Sequence, residues 1–261
     1  MIENKKIAFV ASECQPFFTS GGLADVIGSL PKKIVKLDKG AWEVNVFLPL
    51  YSTISKAYAN KLVYVGQIYV GLSWRRQYCG IFKYQEAGVT YYFLDNEYYF
   101  KRERLYGYFD DAERFAFFSR SVLEILPTLD FFPDIIHVND WQSALIPTYL
   151  KTSEWDERYS NIKTILNIHN IQYQGRYGSQ ILTDVLGIDE RYRTLLDCDG
   201  DVNILKAAIE TSDKVITVSP TYAEEIKTQF FAHGLEDIIN RNSNKLCGIL
   251  NGIDYDFYNP E

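Results

Sequence analysis

Short apolar runs recur along this chain, and most end in small or polar residues that lead into a helical pattern. Residues 6–12, Lys6-Ile7-Ala8-Phe9-Val10-Ala11-Ser12, form the first run. It predicts a buried parallel strand, because a strand covered on both faces shows continuous rather than alternating hydrophobicity. Leu23, Val26, Ile27, Leu30, Ile34 and Leu37 then fall at helical spacing, with Pro31 expected to kink or divide that helix. Residues 43–49 predict a second strand, closed by Pro49.

Between 62 and 94 the rhythm changes. Segments 62–65, 67–70, 77–84 and 89–94 are strand-like, separated by short breaks at Gly66, Gly71 and Gly88 that leave no room for a helix. Such spacing predicts antiparallel hairpins, inserted in a parallel sheet or added to its edge. The alternation then resumes. Asp110-Asp111 is positioned to cap a helix that carries Phe115, Phe118, Val122, Ile125 and Leu126 on one face. A strand at 134–140, a helix at about 141–151 and a strand at 164–170 follow. A long loop with one or two helices reaches Ser212, and its last helix, near 203–210, feeds a strand at 214–219. Pro220 sits at a favoured helix start, and a final strand at 247–251 precedes Gly252. Strands alternating with helices specify a doubly wound α/β sheet, here one domain with a hairpin embellishment.

Length and charge narrow the possibilities. A chain of 261 residues is long enough for one large domain or two small ones. With 27 basic against 34 acidic side chains and a net charge of -7, no basic stripe exists to drive nucleic-acid binding through phosphate contacts. Cys14, Cys79, Cys198 and Cys247 form no Cys-x-x-Cys pair and are expected to be reduced thiols. The first residues carry no signal-peptide core, and no apolar run is long enough to span a bilayer, so a soluble, cytoplasmic protein without a membrane partner is expected. The 20 Tyr, 16 Phe and 4 Trp would suit a sugar-binding surface, but core filling accounts for most of these rings.

In an open α/β sheet, ligands bind beyond the carboxyl ends of the strands, which directs attention to the residues just past each apolar run. Gly21-Gly22 opens the first helix, where free amides attract a phosphate or a sugar oxygen. On the pair alone a plain tight turn is the favoured reading, since no Gly-x-Gly-x-x-Gly or Walker pattern accompanies it. Of the three histidines, His137 lies mid-strand and fits core packing, and His233 falls in a polar loop. His169 stands at a strand end beside Asn170, where a hydrogen bond to a substrate hydroxyl and a structural role both remain open. Asp25 and Asp140 are candidate carboxylates, and Asp140-Trp141 fits a helix cap as well. Histidines at metal-ligand spacing and a Gly-x-Ser-x-Gly elbow are both missing, which argues against a zinc site and a serine hydrolase.

Six segments, in order over nearly the whole chain, resemble the bacterial glycogen (starch) synthase family of retaining glucosyltransferases. They are the run from Phe9 through Glu13-Cys14-Gln15-Pro16 to Phe18; Gly21-Gly22-Leu23-Ala24-Asp25-Val26 with Gly28-Ser29-Leu30-Pro31; His137-Val138-Asn139-Asp140-Trp141; Asn167-Ile168-His169-Asn170 through Gly175; Thr217-Val218-Ser219-Pro220; and Gly248 to Asp254 with Asn259-Pro260. The resemblance implies a GT-B architecture of two Rossmann-like domains. It also implies transfer of glucose from ADP-glucose to the non-reducing 4-hydroxyl of an α-1,4-glucan such as glycogen, with retention and with no metal or other cofactor. By position, the amides of Gly21 and Gly22 would face the donor, and Asp25 and His169 would line the cleft, His169 and its neighbour Asn170 toward the transferred sugar. Asp140, Trp141 and Tyr106 would shape the acceptor side. Residues 1–261 would then be the N-terminal, acceptor-side catalytic domain, lacking a C-terminal nucleotide-binding domain and expected to be inactive alone.

One departure bears on donor binding. The family pattern has lysine two residues before the glycine pair, and this chain has Thr19 there, followed by Ser20. A cation expected to stabilise the leaving phosphate is thereby lost, to be replaced from the second domain or reflected in weaker donor binding. Two other readings accompany the leading one: a different retaining GT-B transferase, and a glucan-binding module without catalysis.

Overall fold

The computed structural model describes residues 5–37, 41–58 and 60–252. The first half carries strands β1 (Lys5–Val10), β2 (Trp42–Pro49), β3 (Val63–Leu72), β4 (Arg75–Glu86) and β5 (Val89–Asp95), with helices α1 (Gly22–Leu37), α2 (Ser52–Tyr58) and α3 (Glu97–Phe100). Helix α4 (Asp111–Leu129) leads to β6 (Ile135–Asn139), α5 (Asp140–Ser143), α6 (Leu145–Thr152) and β7 (Lys163–Ile168). Next come β8 (Arg176–Gly178), α7 (Ile181–Asp184), α8 (Arg193–Leu196), β9 (Asp197–Cys198), β10 (Asp201–Asn203) and α9 (Ile204–Thr211). The last elements are β11 (Lys214–Thr217), α10 (Pro220–Glu225), α11 (Gln229–Ala232), α12 (Glu236–Arg241) and β12 (Leu246–Gly248).

The nine-stranded sheet runs β12-β11-β7-β6-β1-β2-β5-β4-β3. Every pair from β12 to β5 is parallel, and β4 pairs antiparallel with both β5 and β3. The hairpins are thus added at one edge. Their connections explain why: Ala87 (φ 51) and Gly88 (φ 78) form a two-residue turn with both central residues left-handed, the twist that antiparallel strands need. The two runs on either side of Gly66 are one strand, β3, with an irregularity in register between Tyr64 and Gly66.

The chain leaves β1 in one direction along the sheet, to β2 and β5, and later leaves β6 in the other, to β7, β11 and β12. The strand order reverses between β1 and β6, which are neighbours. That reversal opens a crevice at the carboxyl ends of the two strands. Ala8, Val10, Ile136, Val138, Leu166 and Ile168 are fully buried. On the alternate positions Phe9, His137, Ile165, Asn167 and Ile216 line a groove of about 890 Å³ beside α1.

Several boundaries differ from the sequence expectation. Helix α1 continues through Pro31, which is buried, instead of dividing there. Asp110 makes no capping hydrogen bond; its carboxylate pairs with Arg102 at 2.6 Å. The helix expected at 141–151 is two, α5 and α6. The expected long loop contains a three-stranded sheet, β8-β10-β9, whose strands of two or three residues are too short to show a period. Ser219 caps α10 by accepting the N–H of Tyr222, with Pro220 in its first turn as expected. Residues 253–254 and 259–260, the end of the last matching segment, lie outside the described residues. All four cysteines are free thiols.

Candidate active site at the strand-end rim

Four segments meet beyond the ends of β1, β6 and β7. The first is the loop 11–21. Glu13 is buried, and its carboxylate accepts the backbone N–H of Ser20, the Ser20 hydroxyl at 3.0 Å and the Tyr106 hydroxyl at 3.2 Å. A single acid therefore holds the residue just before the glycine pair. Gly21 and Gly22 themselves are exposed, neither adopts a positive φ, and a Cβ on either would meet nothing within 4 Å. Neither backbone geometry nor internal packing requires glycine here, unlike at Gly28, where a Cβ would come 2.6 Å from the Gln15 carbonyl oxygen. Thr19 is exposed, its hydroxyl 3.5 Å from the Gly21 carbonyl. Asp25 follows in the first turn of α1, half-buried.

The second segment presents Tyr106. Arg114, fully buried on α4, donates to the carbonyls of Tyr99 at 2.7 Å and Leu105 at 3.1 Å and pairs with Asp111. Asp111 in turn accepts the N–H groups of Gly107 at 2.7 Å and Tyr108 at 3.2 Å. Stapled this way, the loop aims the Tyr106 hydroxyl at Ser12, 2.7 Å away, as well as at Glu13. Burial, then the nearby Tyr51 and Glu13, push the Tyr106 phenol well above its ordinary range, so it stays protonated.

The third and fourth segments are tied to each other. Asp140 follows β6 with φ 53, in the left-handed region, and its Oδ1 accepts the backbone N–H of His169 at 2.8 Å and of Asn170 at 3.4 Å. It is not a helix cap: it fixes the turn after β7. Burial pushes the Asp140 carboxyl up to about 7, against the pull of those two N–H groups and with a further push from Glu13. His169 Nε2 lies 3.0 Å from the Asn167 side-chain nitrogen and 3.2 Å from the Asn139 side-chain oxygen, so the ring accepts from the first in one tautomer and donates to the second in the other. Asn139 and Asn167 are cross-strand partners on β6 and β7, and Asn139 also donates to the Val10 carbonyl at 3.1 Å. Burial lowers the His169 ring to about 4, so it is neutral near pH 7. His137 is buried, its ring 4.9 Å from that of Phe9, and burial followed by the proximity of His169 lowers it to about 4.

Trp141 is buried below this rim. Its ring meets Phe115 edge-on at 5.2 Å, and a Cβ on Gly175 (φ 63) would sit 2.5 Å from it. Direct bonds thus join Asp140, His169 and Asn170 on one side and Ser20, Glu13 and Tyr106 on the other. Asp25 lies in the first turn of α1. Glu13 and Asn139 fall within the strand-end segments that the sequence marks, but the sequence assigns neither a role, and Asn167 is not among them. The two asparagines left a faint signal, a polar residue at the matching position near the end of two apolar runs. Neither Glu13 nor Asp140 carries an ion pair among the described residues, and no cluster of acids, histidines or cysteines among them is arranged to hold a metal.

A parallel, doubly wound sheet whose strand order reverses between β1 and β6, with polar side chains gathered past the ends of β1, β6 and β7, marks a Rossmann-like domain. The model of the starch synthase catalytic domain matches residues 6–241, and the chain belongs to that family. It is 48% identical over 255 residues to a glycogen synthase of Halalkalibacterium halodurans and 47% identical over 258 residues to one of Ligilactobacillus salivarius, covering 98% of this chain and 52% and 54% of those proteins. The chain therefore spans about half the length of the curated relatives it matches. The catalytic domain of starch synthase IV from Arabidopsis thaliana, bound to ADP and acarbose, superposes with a TM-score of 0.86 at 30% identity, over 98% of this chain and 53% of that one.

Proposed function

We propose that this chain is the acceptor-side wall of a glycogen or starch synthase, transferring glucose from ADP-glucose to the non-reducing 4-hydroxyl of an α-1,4-glucan with retention. The observation that carries this reading is the glycine pair. Two exposed glycines that the chain's own packing does not require, at the start of a helix, leave room for a ligand to approach the amides closely. In this reading the Gly21 and Gly22 amides meet the donor's phosphate or glucose. Thr19 lies beside them, and Asp25 lines the same lip. His169, uncharged, offers the transferred glucose a hydrogen bond at the Nδ1 edge, since its Nε2 is occupied by the asparagines. Asn170 stands next to it, and Asp140 holds both in place. Tyr106 and Glu13 frame the acceptor side, with Trp141 packed beneath.

The lip carries the Glu13 carboxyl, with Thr19 in place of the family's lysine. The charge on the leaving diphosphate is then met largely by groups of a second, nucleotide-binding domain, and the 261-residue chain alone does not turn over ADP-glucose. The ADP in the A. thaliana structure and the names of the bacterial relatives support the choice of donor and polymer. The test is glucose incorporation into glycogen by the full-length protein with ADP-glucose or UDP-glucose. ADP-glucose is the expected donor. Transfer from UDP-glucose alone would instead indicate another retaining GT-B transferase, and glycogen binding without transfer a binding module.

A further inference from the structure

We propose that Asn139 fixes the tautomer of His169, so that Nε2 carries the ring proton and Nδ1 meets a sugar hydroxyl as a bare acceptor. This rests on the glucan-synthase reading and deepens it, from which residue meets the transferred glucose to which partner supplies the hydrogen. Asn139 is then a positioning residue, acting on substrate only through the histidine.

The direction of the Asn139 amide is set by backbone. Its side-chain nitrogen donates to the Val10 carbonyl at 3.1 Å and to the His137 carbonyl at 3.3 Å, and lies 3.3 Å from His137 Nδ1. Carbonyl oxygens only accept, so they require an N–H at this end of the amide. Turning the amide over would set oxygen against oxygen at both places. Asn139 is fully buried, out of reach of bulk water, so neither loss would be repaired. The Asn139 oxygen is therefore the atom that meets His169 Nε2, at 3.2 Å.

An amide oxygen does not donate, and a hydrogen bond across that 3.2 Å needs the proton on Nε2. Burial lowers the His169 ring to about 4, so near pH 7 it holds a single N–H. With that N–H on Nε2, Nδ1 is bare. In the other tautomer the Nε2 lone pair would face the Asn139 oxygen, a repulsion poorly screened in buried surroundings.

Asn167 does not decide the matter. Its side-chain nitrogen lies 3.0 Å from the same Nε2 and 3.4 Å from the Asn139 oxygen. Among the described residues its side chain makes no bond outside this cluster, so backbone does not fix its direction as it fixes that of Asn139. As it stands it donates to the Asn139 oxygen; turned over, its own oxygen accepts the Nε2 proton. Both directions agree with a protonated Nε2.

A bare Nδ1 takes a hydrogen bond and gives none. The glucose hydroxyl it meets must donate, which leaves that hydroxyl's oxygen to accept from another group. Fluorine or an ether in place of the hydroxyl has no hydrogen to give and loses the contact. A ring N–H at the same place would not make that distinction.

The test is long-range proton–nitrogen NMR of the full-length protein carrying isotope-labelled histidine, with His169 assigned by comparison with His169→Gln. Glucose transfer from ADP-glucose to glycogen is measured separately. The wild type is expected to show Nε2 protonated and Nδ1 bare, and Asn167→Ala to keep that pattern. Asn139→Ala is expected to move the proton to Nδ1, because Asn167 then donates to a bare Nε2. Its kcat is expected to fall about 2- to 10-fold, the worth of one hydrogen bond. A protonated Nδ1 in the wild type overturns the proposal, even where Asn139→Ala does not fold. So does an exchanged tautomer in Asn167→Ala, or the wild-type tautomer in a folded Asn139→Ala. Absence of transfer by the wild type overturns the enzymatic reading instead, and the tautomer is then judged on the spectrum alone.

Discussion

Asp140 Oδ1 accepts the backbone N–H of His169 at 2.8 Å, joining the residues that follow two adjacent strands, β6 and β7. Asp140 is the start of a helix by sequence, yet its side chain serves the neighbouring turn. Through it the orientation of His169 depends on the protonation and position of a residue 29 places earlier.

Asp140 gives the chain a pH signature. Its carboxyl titrates at about 7 when folded against an ordinary 3.8, so the folded state holds the extra proton. The stability tied to that proton is fully present below 3.8 and is lost as pH rises through 7. Asp140→Asn keeps an acceptor for the two N–H groups but cannot ionise. Melting temperature followed from pH 5 to 8, a range of about three units around these values, is expected to fall less in Asp140→Asn than in the wild type. Parallel curves would show that Asp140 does not titrate there.

The histidines act in the opposite sense. His137 and His169 are lowered from 6.5 to about 4 by burial, so their neutral forms favour the folded state above 6.5, and that contribution is lost as pH falls through 4. In the full-length protein His169→Ala is expected to lower turnover while leaving the fold intact. Kinetics equal to the wild type would remove His169 from the site.

Asn139 orients that histidine from below. Asn139→Ala strips the Val10 carbonyl and His169 Nε2 of a partner in a fully buried setting. The expected cost is about 1–3 kcal/mol of stability in denaturant melts, together with reduced turnover. A variant as stable as the wild type would show that the amide ladder is dispensable.

The glycines separate a ligand role from a packing role. Gly22→Ala is expected to leave stability unchanged or slightly raised, since its Cβ enters open space, while weakening donor binding. Gly28→Ala is expected to destabilise the chain by about 1–3 kcal/mol, because its Cβ meets the Gln15 backbone. Thermal melts with a donor titration of the full-length protein check both, and unaltered donor affinity in Gly22→Ala would return Gly21-Gly22 to a plain turn.

Tyr106 links two loops through one hydroxyl. Tyr106→Phe removes the bonds to Ser12 and Glu13. The expected result is about 1 kcal/mol lower stability and a raised KM for glycogen with less change in KM for the donor. An equal rise in both would place Tyr106 outside the acceptor side.

The sequence by itself determined the alternation of strands and helices, the edge hairpins, the proline that opens α10, and the strand ends where chemistry collects. These are local or periodic properties: continuous apolar runs, turn residues with left-handed φ and helix-start chemistry act over a few neighbours. Tertiary structure alone decided that Glu13 holds Ser20 and Tyr106, that Asp140 secures His169 instead of capping a helix, and that 171–212 folds a small sheet from strands too short to carry a period. It also decided that Gly21 and Gly22 face open space while Gly28 does not. Apart from the bonds between Glu13 and Ser20, seven positions apart, these join residues tens of positions apart, and their partners are chosen by which strands lie side by side, a relationship no window along the chain contains.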